Sequence, residues 1–187
     1  MRYLKRIEEK IIKQKETVAQ EKELADKLAS EIELVKKEIA EGELDVPYVP
    51  SAQTRLETII KMADPQKGDW AADLGCGDGR VLIALAKRGA MAHGFELERS
   101  RVELARANIE KVKLSNRAFV YHQNFWEVDL LPFNIITLYG ITSVMQRLEA
   151  KLKRELQPGS RVVSNYFTFP NWKVVLEEND VYLYIKE

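Results

Sequence analysis

Along residues 1–44 the apolar positions recur at spacings of three and four: Leu4, Ile7, Ile11, Val18, Ala25, Leu28, Ile32, Val35 and Ile39. With Gln14 and Glu21 completing the series, the pattern makes about five heptads, which predicts a coiled-coil helix. Glu9–Lys13, Glu23–Lys27 and Glu33–Lys37 add i, i+4 pairs with the acid on the favourable amino-terminal side. At about 1.5 Å per residue such a helix reaches roughly 60 Å. It cannot bury its stripe alone, so the pattern calls for homo-oligomerisation or a partner protein. Gly42 closes the segment, and a second domain is expected over residues 45–187.

From residue 46 the periodicity changes. Val46-Pro47-Tyr48-Val49-Pro50 is held extended by its two prolines, and Ser51 is placed to cap a helix carrying Leu56, Ile59, Ile60 and Met62. Strands are predicted at 70–74, 91–96, 118–122, 135–139 and 161–167, and helices at 81–88, 99–112 and 144–156. Pro158-Gly159 terminates the last of these helices. Segments 172–177 and 181–186 read as a closing antiparallel pair around Glu178-Asn179-Asp180. Strands alternating with helices imply an α/β chain with a Rossmann-like, doubly wound, mostly parallel sheet. Ligands in such sheets sit at the carboxyl ends of the strands, beside the first strand.

Composition narrows the setting. Lys and Arg number 29, as do Asp and Glu, so the formal net charge is zero and nothing global favours nucleic acid. The single cysteine, Cys76, leaves no internal disulfide and no multi-cysteine zinc site. No apolar run approaches the ~18–20 residues of a membrane span. Met1 to Lys15 lacks a signal-peptide core. The expectation is a cytoplasmic protein with no membrane partner and no metal. His93 and His122 both fall within strands and are expected to be buried, tautomer-fixed histidines.

The chemistry concentrates in Asp73-Leu74-Gly75-Cys76-Gly77-Asp78-Gly79-Arg80, which follows the first strand and opens a helix. Glycines there let backbone approach a ligand closely. Asp73 and Asp78 would repel a pyrophosphate but suit a cationic amino acid moiety, and Glu96, ending the second strand, can accept both hydroxyls of a ribose. Gly-Lys-Ser and Gly-Lys-Thr are absent, which excludes a Walker loop. A nucleoside carrying a positively charged amino acid, as in S-adenosylmethionine, satisfies both halves of the pattern.

This loop resembles that of the class I S-adenosylmethionine-dependent methyltransferases, whose sheet has seven strands. A narrower likeness rests on Val46-Pro47-Tyr48-Val49-Pro50, the glycine loop, Asn124-Phe125-Trp126-Glu127-Val128-Asp129, Thr137-Leu138-Tyr139 and Leu156-Gln157-Pro158-Gly159-Ser160-Arg161-Val162-Val163-Ser164. Together these resemble the small protein-lysine methyltransferases of archaea and their mitochondrial relatives, the FAM173-like group, over residues 46–187. The resemblance implies that Asp73, Gly75, Cys76, Gly77, Asp78 and Gly79 hold the methionine portion of the cofactor, and that Glu96 and Leu97 hold the ribose. It further implies that Asn124 faces the adenine amino group beside Phe125 and Trp126. Tyr48 and Ser51 would close the site, and Leu138 and Tyr139 would lie next to the transferred methyl. Members often carry Ser-His where this chain has Ser164-Asn165, so Asn165 stands where a histidine would position or deprotonate substrate. Tyr139 and Asn165 are accordingly the candidate catalytic residues.

Tyr139-Gly140-Ile141-Thr142 replaces the Asn-Pro-Pro-Tyr type of sequence used on planar amides and exocyclic amines, and Cys76 lies in the wrong place for cytosine C5 chemistry. A lysine acceptor must arrive neutral, and an aromatic channel of Tyr139, Trp126, Tyr166 and Phe167 would favour that form. The residues alone leave open a small-molecule or RNA acceptor, and a non-catalytic cofactor-binding adaptor.

Overall fold

The computed structural model describes residues 53–140 and 142–187. The predicted coiled coil, Tyr48 and Ser51 lie outside the described residues. The chain divides into two units at Pro47, and the second begins at Tyr48.

The described elements run α1 (Gln53–Ala63), β1 (Trp70–Leu74), α2 (Arg80–Lys87), β2 (Met91–Glu96), α3 (Arg99–Lys111), β3 (Ala118–His122), a 3-10 turn (Phe125–Glu127), β4 (Ile135–Tyr139), α4 (Thr142–Glu155), β5 (Arg161–Asn165), β6 (Leu176–Glu178) and β7 (Val181–Ile185). One seven-stranded sheet has the order β3-β2-β1-β4-β5-β7-β6. β3 through β5 are mutually parallel, and β7 inserts antiparallel between β5 and β6. The chain reverses direction across the sheet between β1 and β4, so their carboxyl ends frame the crevice expected of a doubly wound fold.

Alternation along each strand sorts the core into two layers. Ala71, Ala92, Val120, Ile135 and Val163 face Ile59 of α1, Leu82 and Leu85 of α2, and Val102, Ala105 and Ile109 of α3. Ala72, Leu74, Phe95, Ile136, Leu138 and Val162 face Met145, Leu148 and Leu152 of α4. Between β3 and β4 stands only the 3-10 turn and loop. On that side the sheet is finished by stacked rings instead of a helix. His93 lies between Trp70 (5.0 Å) and Tyr121 (5.9 Å), with Trp70 45% and Tyr121 38% exposed.

Three local expectations are corrected. β5 stops at Asn165, two residues short of the predicted end, because Tyr166 takes a left-handed φ of 76° and turns out of the ladder. The segment from Trp172 is not strand until Leu176. The Trp172 indole donates to Ile185 O at 3.2 Å and its ring packs on Phe169 and Tyr184, so the chain folds over the sheet end as a cover. His93 is buried as expected, and burial holds it below its usual pKa. His122 is exposed, because it ends β3 at the sheet edge. Its tautomer is nevertheless set, since Nε2 donates to Leu97 O at 2.8 Å.

Candidate functional site at the carboxyl edge of the sheet

The loop between β1 and α2 turns through left-handed residues at every second position, with φ of 81° at Gly75, 52° at Gly77 and 79° at Gly79. A side chain at Gly79 would be strained by this φ, and its Cβ would lie 3.1 Å from that of Ala105. This backbone is pinned to the end of β2. Phe95 O accepts from Gly75 N (2.9 Å) and Cys76 N (3.2 Å), and Gly79 N closes the turn on Cys76 O at 2.9 Å. The loop thus exposes main chain at Gly75 beside the switch point.

Glu96 is the keystone of the next loop. It is 7% exposed, and its carboxylate accepts Gly77 N (3.0 Å) through one oxygen and Leu97 N and Glu98 N (both 2.9 Å) through the other. One acid therefore orders the glycine loop and the start of α3 together. Leu97, 43% exposed, follows at the mouth.

Asp73 is 5% exposed at the end of β1, and accepts the Thr137 hydroxyl of β4 at 2.7 Å. Burial pushes its pKa up to about 7; the Thr137 bond opposes that, and the charges of Glu96 and Asp78 add to it. Burial also pushes the Cys76 thiol up, so Cys76 is a buried apolar side chain and not a nucleophile. Asp78, the second carboxylate of the loop, has a different setting from Asp73. Arg80 pairs with it at 2.6 Å and its Oδ1 accepts Arg80 N at 3.2 Å, so Asp78 holds the first turn of α2 while its charge still acts on Asp73. Arg80, two residues on, was visible as its partner. Thr137 was not, because its place opposite Asp73 depends on strand register.

On the far side of the crevice Asn124 caps the 3-10 turn, its Oδ1 accepting Trp126 N at 3.0 Å. Phe125 is buried, and Trp126 lies under the Arg147 guanidinium of α4 at 4.0 Å. The loop is anchored by buried Lys151, which donates to Val128 O and to Glu155, both at 2.7 Å. Leu138 is buried, while Tyr139 is half-buried at the carboxyl end of β4. Its ring stands 6.5 Å from Tyr166 and 5.7 Å from Phe167. Burial raises the Tyr139 phenol pKa above its usual value. Asn165 is paired in register with Tyr139 and is 2% exposed. An amide takes up no proton near neutrality, so this position supplies no general base. Trp126 packs with Phe167 against the same buried cluster and carries the Arg147 guanidinium on its ring. Tyr166 and Phe167 are the rings that accompany Tyr139.

The residues fit S-adenosylmethionine. The backbone is open at Gly75, the buried Asp73 carboxylate favours a cation, and an acid stands at the end of β2. Fold and site define a class I S-adenosylmethionine-dependent methyltransferase. The ANTKMT methyltransferase domain matches residues 73–176, and the chain belongs to that family. It is 39% identical to a protein-lysine N-methyltransferase of Saccharolobus islandicus (strain REY15A) over 75% of this chain and 93% of that protein. It is 35% identical to the adenine nucleotide translocase lysine N-methyltransferase of Mus musculus, over 71% of this chain and 58% of that protein. The chain thus spans little more than half of the mouse relative. Among solved structures, an RNA methyltransferase from Salinibacter ruber in complex with S-adenosyl-L-homocysteine superposes with a TM-score of 0.69 at 28% identity, covering 74% of this chain and 92% of that one.

Proposed function

We propose that the chain methylates lysine side chains of proteins. The observation that carries this reading is the aromatic mouth of Tyr139, Tyr166 and Phe167 at the carboxyl ends of β4 and β5, beside a loop built for a cationic cofactor. The archaeal relative, a protein-lysine N-methyltransferase covered almost end to end, supports it. Asp73, Gly75, Cys76, Gly77, Asp78 and Gly79 shape the pocket for the methionine portion. Glu96 and Leu97 take the ribose, Asn124, Phe125 and Trp126 the adenine, and Leu138 and Tyr139 flank the methyl.

Bound there, S-adenosylmethionine supplies an electrophilic methyl group: the amine lone pair forms the new N–C bond, the C–S pair returns to sulfur, and the surplus proton on nitrogen leaves to water. The protein's task is positioning. A lysine at pH 7 needs roughly 4–5 kcal/mol to be neutral in water, given its reference pKa of about 10.4. The half-buried rings of Tyr139 and Phe167 replace water around the nitrogen and reduce that cost. The heptads of residues 4–39 suit association with a second copy or with a partner protein, which a mass by light scattering tests.

Tritiated S-adenosylmethionine incubated with a lysate of the source organism tests the acceptor. Label is expected in protein, on lysine. Label confined to RNA or to small molecules overturns the reading.

A further inference from the structure

None of the mouth side chains Tyr139, Tyr166 and Phe167 takes up a proton near neutrality, yet the acceptor nitrogen must shed a proton before it attacks. A fixed positive charge stands nearby. Arg55 of α1 places its guanidinium carbon 5.6 Å from the centre of the Tyr166 ring. Tyr166 is held in its left-handed conformation by its N–H bond to Asp180 O at 2.7 Å, and this turns the ring between Arg55 and Tyr139. α1 is itself tied to the turn between β6 and β7 through Lys61–Glu178 at 2.7 Å and Asn179–Thr58 at 2.9 Å.

The charge on Arg55 is incompletely answered. Among the described residues its Nε is buried without a hydrogen-bond partner. The carboxylate facing it is Asp180, at 3.8 Å and 60% exposed, where water weakens its effect. Among the described residues the other titratable groups around this mouth are the phenols of Tyr139, Tyr166 and Tyr182, with Glu177 beside Tyr182 and Glu178 taken by Lys61. The field of Arg55 reaches Tyr139, where it favours the phenolate. A guanidinium stays protonated at every working pH, and a like charge nearby disfavours an ammonium.

We propose that Arg55 is a positioning cation of the acceptor site, whose fixed charge beside the Tyr139–Tyr166–Phe167 mouth favours the neutral amine of an incoming lysine over its ammonium and so takes the place of a general base. This inference rests on the protein-lysine reading. It concerns the ground state. The ammonium complex is disfavoured, while the methyl-transfer transition state, which carries one positive charge fewer, is affected less. Arg55 therefore raises kcat and KM together.

The test uses the full chain and a peptide carrying the lysine mapped in the labelling experiment. Arg55→Gln is expected to move the acid limb of the kcat–pH profile up by about one unit, a fall in kcat of about tenfold below the limb. KM should fall in parallel, leaving kcat/KM within about threefold, and rates should converge above the limb. Arg55→Lys keeps the charge and should restore the wild-type profile. A second readout needs no activity. NMR titration of ring-labelled tyrosine, with Tyr139 assigned by Tyr139→Phe, should show the Tyr139 phenol ionising at higher pH in Arg55→Gln and unchanged in Arg55→Lys. Loss of kcat/KM at all pH values with an unmoved limb assigns Arg55 a purely structural role and overturns the inference, as does an unmoved Tyr139 titration. Failure of the wild-type chain to label any lysine overturns the protein-lysine reading instead, while the Tyr139 titration still reports whether the field of Arg55 reaches the mouth.

Discussion

Asp73 sets a conflict between stability and cofactor binding that Asp73→Asn should expose. The carboxylate is buried, accepts one hydroxyl from Thr137, and has its pKa pushed from 3.8 up to about 7 by burial first and by Glu96 and Asp78 in addition. A group that binds its proton more tightly when folded stabilises the protein most at low pH. The contribution is fully present below about 3.8, is lost as pH rises toward 7, and stays lost above 7. At about 1.4 kcal/mol per pH unit, that interval amounts to about 4 kcal/mol as an upper figure. Asparagine keeps an oxygen for the Thr137 hydroxyl and has no charge to lose. Urea denaturation of the cofactor-free full chain at a series of pH values from about 4 to 8.5 should show the variant gaining on the wild type progressively, by a few kcal/mol at the top of the range and by little at the bottom. All other titrating groups are shared, so the difference between the two curves isolates Asp73. Parallel curves would refute the reasoning. The same substitution should weaken S-adenosylmethionine binding by calorimetry, and wild-type affinity should fall as pH drops below about 7, because the protonated acid no longer answers a cation.

Glu96→Gln turns an amide NH2 toward one of the N–H donors of Gly77, Leu97 or Glu98; it should destabilise the chain by about 1–3 kcal/mol in denaturant titration and weaken cofactor binding at least about tenfold. At Gly94 a Cβ would stand 2.4 Å from Leu82 Cδ1 and 2.6 Å from Cys76 Sγ, so Gly94→Ala should cost about 1–3 kcal/mol of thermal stability and loosen the glycine loop. Tyr139→Phe keeps the ring and should retain most activity, whereas Tyr139→Ala opens the mouth to water and should lower kcat about tenfold or more; equal loss in both would assign the work to the phenol.

Much of this protein is legible in one dimension. The short apolar runs at Trp70–Leu74, Met91–Glu96 and Ile135–Tyr139 mark central strands buried on both faces, and the helical spacing of Val102, Ala105 and Ile109 marks one buried helix face; both signals depend on near neighbours in the chain. The glycine loop is equally local, because left-handed backbone at alternate positions selects glycine wherever it occurs. Sheet order and register are not local. Only folding sets Thr137 against Asp73, stacks Trp126 under Arg147, and carries Arg55 to a ring 111 positions away in the chain, at Tyr166. The end of β5 escaped prediction for a related reason. Tyr166 has strong strand propensity, and its left-handed turn is held by a bond to Asp180 from a strand pair that forms later in the chain. Residue types thus determined that a cationic nucleoside cofactor binds after the first strand. The charge balance at that site, with Asp78 paired to Arg80, Asp73 raised and Arg55 facing the mouth, was decided by the distances that the tertiary structure alone creates.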